Sequence, residues 1–335
     1  MSLHTTRGFL PVTAAISGNA LVTCAKLIAA FASGSSVMFS EAIHSGADTT
    51  NQILLLIGLR RSLKKADDTF EYGYGNERFF WALLSACGIF FIGAGVTAYN
   101  GIHSLIRPAH VELDWIVFVV LLFSFVVESY SFYVAGKDLW QTSRETTWRG
   151  RLRGADSATL AVLLEDAIAV FGVVVASVAL LLSYYTENTM WDSIGSLIIA
   201  SLLAAIALIL IVKNRAYLIG KSMPEGLQDE VIALLTMDPA IERVIDFKST
   251  TVGWDAYRIK FEIEFNGSSL AREAYGKSSM RKQYDELAND FEAFKRFSAE
   301  YADRIPRLVG RRIDEIEKRI RDKHPSIRHI DIEIN

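Results

Sequence analysis

In the stretch SEAIHSGADTTNQ, residues 40–52, His44 and Asp48 stand four positions apart, with Glu41 just ahead of them. On a helix that spacing stacks an imidazole and a carboxylate on one face, one turn from each other. Two such groups are ligands for a borderline cation such as zinc. They are equally able to hydrogen-bond one helix to its neighbour. Both lie in an apolar run, 37–59, long enough to cross a bilayer, which takes about 20 residues. Ionisable groups are expensive at that depth and point to function. Glu128, in SFVVESYSF, and Glu165 and Asp166, in LLEDAIAVFG, lie in two further apolar runs. At a rise of about 1.5 Å per residue, these acids and Asp48 reach similar depth near the midplane. Convergence from three helices favours a metal or ion site over scattered polar contacts.

The elements that must carry these groups are membrane helices. Of 335 residues, 51% are hydrophobic, and the formal net charge is only −3. That balance selects the membrane class and gives no support to nucleic-acid binding. The cysteines, Cys24 and Cys87, sit in apolar runs with no C-x-x-C pair, so neither a disulfide framework nor a cysteine zinc site is implied. The amino-terminal stretch is too long and too interrupted, by Asn19 and Lys26, for a signal peptide. Six spans are predicted, at 11–31, 37–59, 79–105, 113–135, 158–185 and 194–212.

Lys and Arg favour the cytoplasmic ends of membrane helices. Arg60, Arg61, Lys64, Lys65 and Arg78 follow the second span, and Lys137, Arg144, Arg149, Arg151 and Arg153 follow the fourth. The opposite links, SGSS and TENTMWD, carry no basic residue. Both termini are therefore expected in the cytoplasm. Tyr184, Tyr185, Trp191 and Trp115 supply an aromatic belt at the outer ends. With no transit peptide recognised, a bacterial plasma (inner) membrane is the expected home.

Beyond the sixth span the composition becomes that of a soluble domain. YRIKFEIEF, 257–265, alternates strictly and reads as a half-buried strand. A helix at 225–237, a strand at 243–250, helical spacing of Val309, Ile313, Ile316 and Ile320, and a strand at 327–334 complete the order αββαβ. Such an order packs helices on one face of a small sheet. The fold class is thus an α-helical membrane protein with six spans, 1–222, plus a cytoplasmic α+β domain of ferredoxin-like order, 223–335. A helical insertion at 268–305 is expected, with Tyr284, Leu287, Phe291, Phe294 and Tyr301 as a stripe for packing or dimer contact.

Together these features resemble the cation diffusion facilitator family. FSEAIHSGADTTNQ, LLEDAIAVFG, WDSIGSL and IRHIDIEI are similar to its zinc transporter 9 branch. The resemblance implies a homodimeric metal/proton antiporter rather than an enzyme, with zinc as the transported ion and His44, Asp48 and Asp166 as its ligands. Where the family's fifth helix reads H-x-x-x-D, this chain has Val162 in place of the histidine. Glu128, Glu165 or water is then the fourth ligand, with Glu128 ranked first because Glu165 points about 100° from Asp166 on its helix. The family's His-rich turn after the second span is here ADDTFEYGYGNER, with Asp67 and Asp68 but no histidine. His324 and His329 are too few for a binuclear zinc site, though His329, Asp331 and Glu333 share a strand face. Glu41 is read as a gate relay or a helix cap, Asn19 and Asp192 as interhelical hydrogen-bonding groups, Lys26 as snorkelling or paired, and His103 and His110 as interfacial. Iron, cobalt or manganese as cargo, or a non-transporting scaffold or sensor, are the other readings; H-x-x-x-D lacks the H-E-x-x-H spacing of a zinc protease.

Overall fold

The computed structural model describes residues 9–107, 115–142, 147, 157–275, 280–288 and 290–335, so His110 and the basic residues 144, 149, 151 and 153 lie outside the described residues. Six long helices come first: α1 Phe9–Ser33, α2 Ser36–Ser62, α3 Glu77–Ile106, α4 Trp115–Thr142, α5 Ser157–Thr186 and α6 Met190–Ile219. Four of them, α3 to α6, are long and apolar enough to cross a membrane. The described apolar part of α1, Asn19–Ser33, is shorter, and α2 is too polar to qualify. In α3 the six residues Ile89–Ala94 form a wider π turn.

The polarity of α2 explains both its failure as a simple apolar span and its place in the bundle. Val37, Glu41, His44, Asp48 and Asn51 recur at spacings of three and four and are all buried, while Ile53 and Leu59 are exposed. The polar stripe therefore faces the other helices, and the apolar side faces outward, the reverse of a surface helix in water. Exposed Leu, Ile, Val and Phe along α3, α4 and α5 give the bundle its apolar exterior. The core between helices is built from small and branched residues, among them Ala29, Val37, Ala176, Ala179, Ile199 and Ala207. Small residues let membrane helices approach closely.

Contacts divide the chain into two compact units, Met1–Lys65 with Asn76–Ile219, and Ala66–Gly75 with Gly220–Asn335. The loop 66–75, which a single cut at 222 assigns to the membrane helices, thus belongs to the second unit. Gly75 is required there: a Cβ would strike the carbonyl oxygen of Val252. The second unit contains α7 Glu225–Thr236, β1 Ile241–Gly253, β2 Ala256–Phe265, α8 Gly267–Tyr275, α9 Met280–Leu287, α10 Phe291–Lys323 and β3 Ile327–Ile334. Its sheet runs β1-β2-β3, with β2 antiparallel to β1 and parallel to β3. Ile259, Phe261 and Ile263 of β2 are fully buried against Val231 and Leu235 of α7 and Ile316 and Ile320 of α10.

The expected insertion is not separate from the final helix. α10 is one helix of 33 residues that begins at Phe291, is capped by Asp290 accepting from Ala293 N–H, and continues through Pro306. Proline removes one main-chain hydrogen bond; the helix continues because packing of Tyr301, Ile305, Leu308 and Val309 against Leu270 and Ala274 spans the break. The stripe splits accordingly: Tyr301 is packed, whereas Tyr284, Phe291 and Phe294 are exposed.

Candidate metal-transport site

The start of α2 is fixed first. Ser35 caps it by accepting from Met38 N–H, and Asp192 at the head of α6 accepts from Ser35 Oγ, Ser36 N–H at 2.6 Å and Val37 N–H. A carboxylate on the orphan N–H groups of a helix start satisfies them and suits the dipole. Asp192 is therefore a capping group. Glu41 is not a cap, because Ser35 and Asp192 already fill that role.

Two turns further along, the imidazole of His44 is fully buried with its Nε2 3.6 Å from Asp48 Oδ2. Among the described residues neither ring nitrogen has a hydrogen-bond partner, and neither has Asp48 Oδ1. Asp48 opens into a small cavity between four helices, lined by Asn19 and Val22 of α1, Ser45 and Asp48 of α2, Glu128 and Ser131 of α4, and Asp166 and Ala169 of α5. Ser131 Oγ donates to Asp166 Oδ2 at 2.7 Å and orients that carboxylate. Three of the five candidate ligands, Asp48, Asp166 and Glu128, thus line one space. His44 and Glu165 do not line it. Among the described residues no three His, Cys, Asp or Glu side chains are already gathered to a metal-binding point.

Glu165 is turned aside, as its position on the helix requires: Asn51 Nδ2 donates to its Oε2, and Ser85 Oγ donates to Asn51 Oδ1. Glu128 is divided. Lys26 Nζ, fully buried on α1, donates to its Oε1 at 2.6 Å and to Glu41 Oε2 at 2.8 Å. Glu128 Oε2 has no partner among the described residues. Ser45 and Ser131 escape a reading of the sequence, since a lone serine in a helix more often bonds its own backbone; the signal for Ser131 is its position three after Glu128.

The second unit offers less for a metal. Asp67 accepts from Thr69 N–H, Phe70 N–H and, at 2.8 Å, Tyr74 O–H, so it shapes the loop. Asp331 pairs with Arg258 at 2.7 Å and Glu333 with Lys260 at 2.6 Å, which commits that strand face to ion pairs. His324 is buried with Nδ1 3.8 Å from Glu230. The rings of His329 and Tyr72 meet edge to face with centroids 5.0 Å apart, and the Arg258 guanidinium lies over the Tyr72 ring, 4.4 Å from its centroid. Burial, then the Arg258 charge, push the His329 imidazolium below its ordinary value of 6.5. The unfolded chain then takes up this proton before the folded one as pH falls below about 6.5. Stability from His329 is therefore full above that pH and is lost as pH falls through the folded value. An NMR titration of His329 is expected to show a midpoint below about 6.5 that rises in Arg258→Gln; a midpoint at or above about 6.5 contradicts this environment.

Residues 12–219 match the cation efflux transmembrane domain family. The chain belongs to the cation efflux family. It is accordingly a multi-pass membrane protein of a transporter family, not an enzyme. This cation efflux chain is 35% identical over 331 residues to a Xenopus laevis protein named proton-coupled zinc antiporter SLC30A9, mitochondrial, covering 96% of this chain and 59% of that protein. It is 35% identical over 337 residues to metal tolerance protein C4 of Arabidopsis thaliana, covering 96% and 72%. Its identity to the Homo sapiens antiporter of the same name as the frog protein is 33% over 329 residues, covering 96% and 58%. The chain therefore spans somewhat over half the length of the two animal relatives. These matches support the zinc transporter 9-like branch, and they lend none to a bacterial plasma membrane.

Proposed function

We propose that the protein is a secondary carrier that exports a divalent metal ion, zinc foremost, in exchange for protons. The observation that carries this reading is the cavity shared by Asp48, Glu128 and Asp166, with the His44 imidazole against Asp48 and free of hydrogen bonds among the described residues. Buried carboxylates and an imidazole without hydrogen bonds are costly unless a ligand meets them. A cation held by Asp48 and Asp166, with His44 swinging onto it and Glu128 Oε2 or Ser131 completing the shell, satisfies these atoms. Metal and protons compete for the same lone pairs, so loading the site displaces protons and incoming protons displace the metal. The relatives named as proton-coupled zinc antiporters support this coupling.

In this reading all six long helices cross the bilayer, with the basic links and both chain ends on the cytoplasmic side. The bundle rocks around the midplane site. The second unit, of ferredoxin-like order, pairs two protomers.

A second reading has its own support. The polar residues lining the cavity are Asn, Ser, Asp and Glu, a set that suits manganese or iron(II) better than zinc. His44 decides between them. Purified protein in liposomes under a pH gradient is expected to move zinc, and His44→Ala to cut zinc flux at least about tenfold while sparing manganese flux. Manganese flux equal to or above that of zinc in the wild type would favour the harder ion. Metal binding with no flux of any of these ions would favour a scaffold or sensor.

A further inference from the structure

We propose that Lys26 is a tethered counter-ion that holds down the affinity of the cavity for its metal, acting through Glu128. The inference rests on reading the cavity as the transport site and adds a residue to it. Lys26 is fully buried on α1 and is gripped by two carboxylates from different helices, Glu41 of α2 and Glu128 of α4. A single partner suffices to neutralise an ammonium, and buried ion pairs are weak contributors to stability. The arrangement therefore exceeds what a helix tie requires.

The geometry of Glu128 supplies the reason. One oxygen, Oε1, is held by Lys26, and the residue lines the cavity beside Asp48 and Asp166 with its other oxygen, Oε2, unpartnered among the described residues. A divalent ion in the cavity and the ammonium of Lys26 thus draw on the same carboxylate. Glu41 takes the ammonium through Oε2, and its Oε1, without a hydrogen bond among the described residues, lies so close to Gly172 of α5 that a Cβ there would collide with it. Glu41 consequently sets how much of the lysine charge is left to Glu128. Like charges repel over this range in a poorly screened interior. Lys26 thereby lowers the negative charge offered to the metal, which favours release over retention.

The role makes Lys26 a positioning residue, and two variants move the metal affinity in opposite directions. Zinc binding is measured by competition titration on the full-length protein in detergent, and flux in liposomes. Lys26→Gln removes the charge and is expected to tighten zinc binding about tenfold, lowering KM and the maximal rate together. Glu41→Gln leaves Lys26 to Glu128 and the cavity, and is expected to weaken zinc binding several-fold. Lys26→Arg keeps the charge and is expected to stay near the wild-type affinity. A merely structural tie would lower the folded fraction in Lys26→Gln and Glu41→Gln alike and leave the affinity of the folded protein unchanged. Affinity unchanged or weakened in folded Lys26→Gln overturns the inference; where that variant does not fold, unchanged or tighter binding in Glu41→Gln does so. Wild type that binds neither zinc nor manganese overturns the cavity reading and this inference with it, whereas Asp48-dependent binding that is indifferent to Lys26 and Glu41 overturns this inference alone.

Discussion

Asp48→Asn and Asp166→Asn each lower metal flux at least about a hundredfold, and neither destabilises the protein. A hundredfold loss corresponds to about 2.7 kcal/mol. The loss follows from the cavity: among the described residues these two carboxylates, with Glu128, are its only charged lining groups. Asparagine retains the shape and removes the charge that attracts a divalent ion. The fold tolerates the change because Asp48 Oδ1 has no hydrogen bond to lose, and the amide oxygen that Asp166→Asn introduces still accepts from Ser131 Oγ. Removing a buried acid that shares its cavity with Asp166 and Glu128 is expected to raise thermal stability slightly. Flux and melting temperature, measured on the same preparation, are predicted to move in opposite directions. Flux above about a tenth of wild type in either variant contradicts the assignment.

Asp192→Ala is expected to cause a large loss of stability. The carboxylate is buried and receives three donors at the start of α2, Ser35 Oγ, Ser36 N–H and Val37 N–H. Truncation orphans two main-chain donors and removes a cap, for a cost on the order of 3 kcal/mol. It also releases the end of the helix that carries His44 and Asp48, so flux falls with stability. Asp192→Asn keeps an acceptor and is expected to recover more than half of the loss. Thermal unfolding of the detergent-solubilised variants checks this; an Ala variant as stable as wild type would mean that water or another side chain satisfies these donors.

The parts of this architecture that depend on local periodicity are legible in the chain. The alternation of Tyr257 to Phe265 gives β2 and its buried face, because a strand exposes side chains on two sides in turn. His44 and Asp48 reveal one helix face, because ionisable residues inside an apolar run have few reasons to be there. The succession of a helix, two strands, helical sequence and a last strand is likewise present, with three helices, α8 to α10, described between β2 and β3.

What depends on partners distant in sequence is not legible. Lys26 finds Glu41 across 15 positions and Glu128 across 102, and Asp192 reaches back 157 to Ser35. Spacing along one helix says nothing of which neighbour a buried charge meets. The loop 66–75 reads as a link between two helices, yet it packs with the second unit through Tyr72 and Gly75, because aromatic and steric fit to the sheet outweighs chain proximity. The full length of α10 is hidden for another reason: Pro306 and the charged surface of residues 291–304 mask a helix whose continuity comes from packing against α8.

Anomalous scattering of zinc in crystals of the metal-loaded protein locates the transported ion directly. A zinc peak is expected in the cavity between α1, α2, α4 and α5, within about 2.0–2.2 Å of Asp48 and Asp166 carboxylate oxygens and with His44 turned onto it. A fully occupied zinc bound elsewhere, with that cavity bare and His44 still apart from the metal, would contradict it.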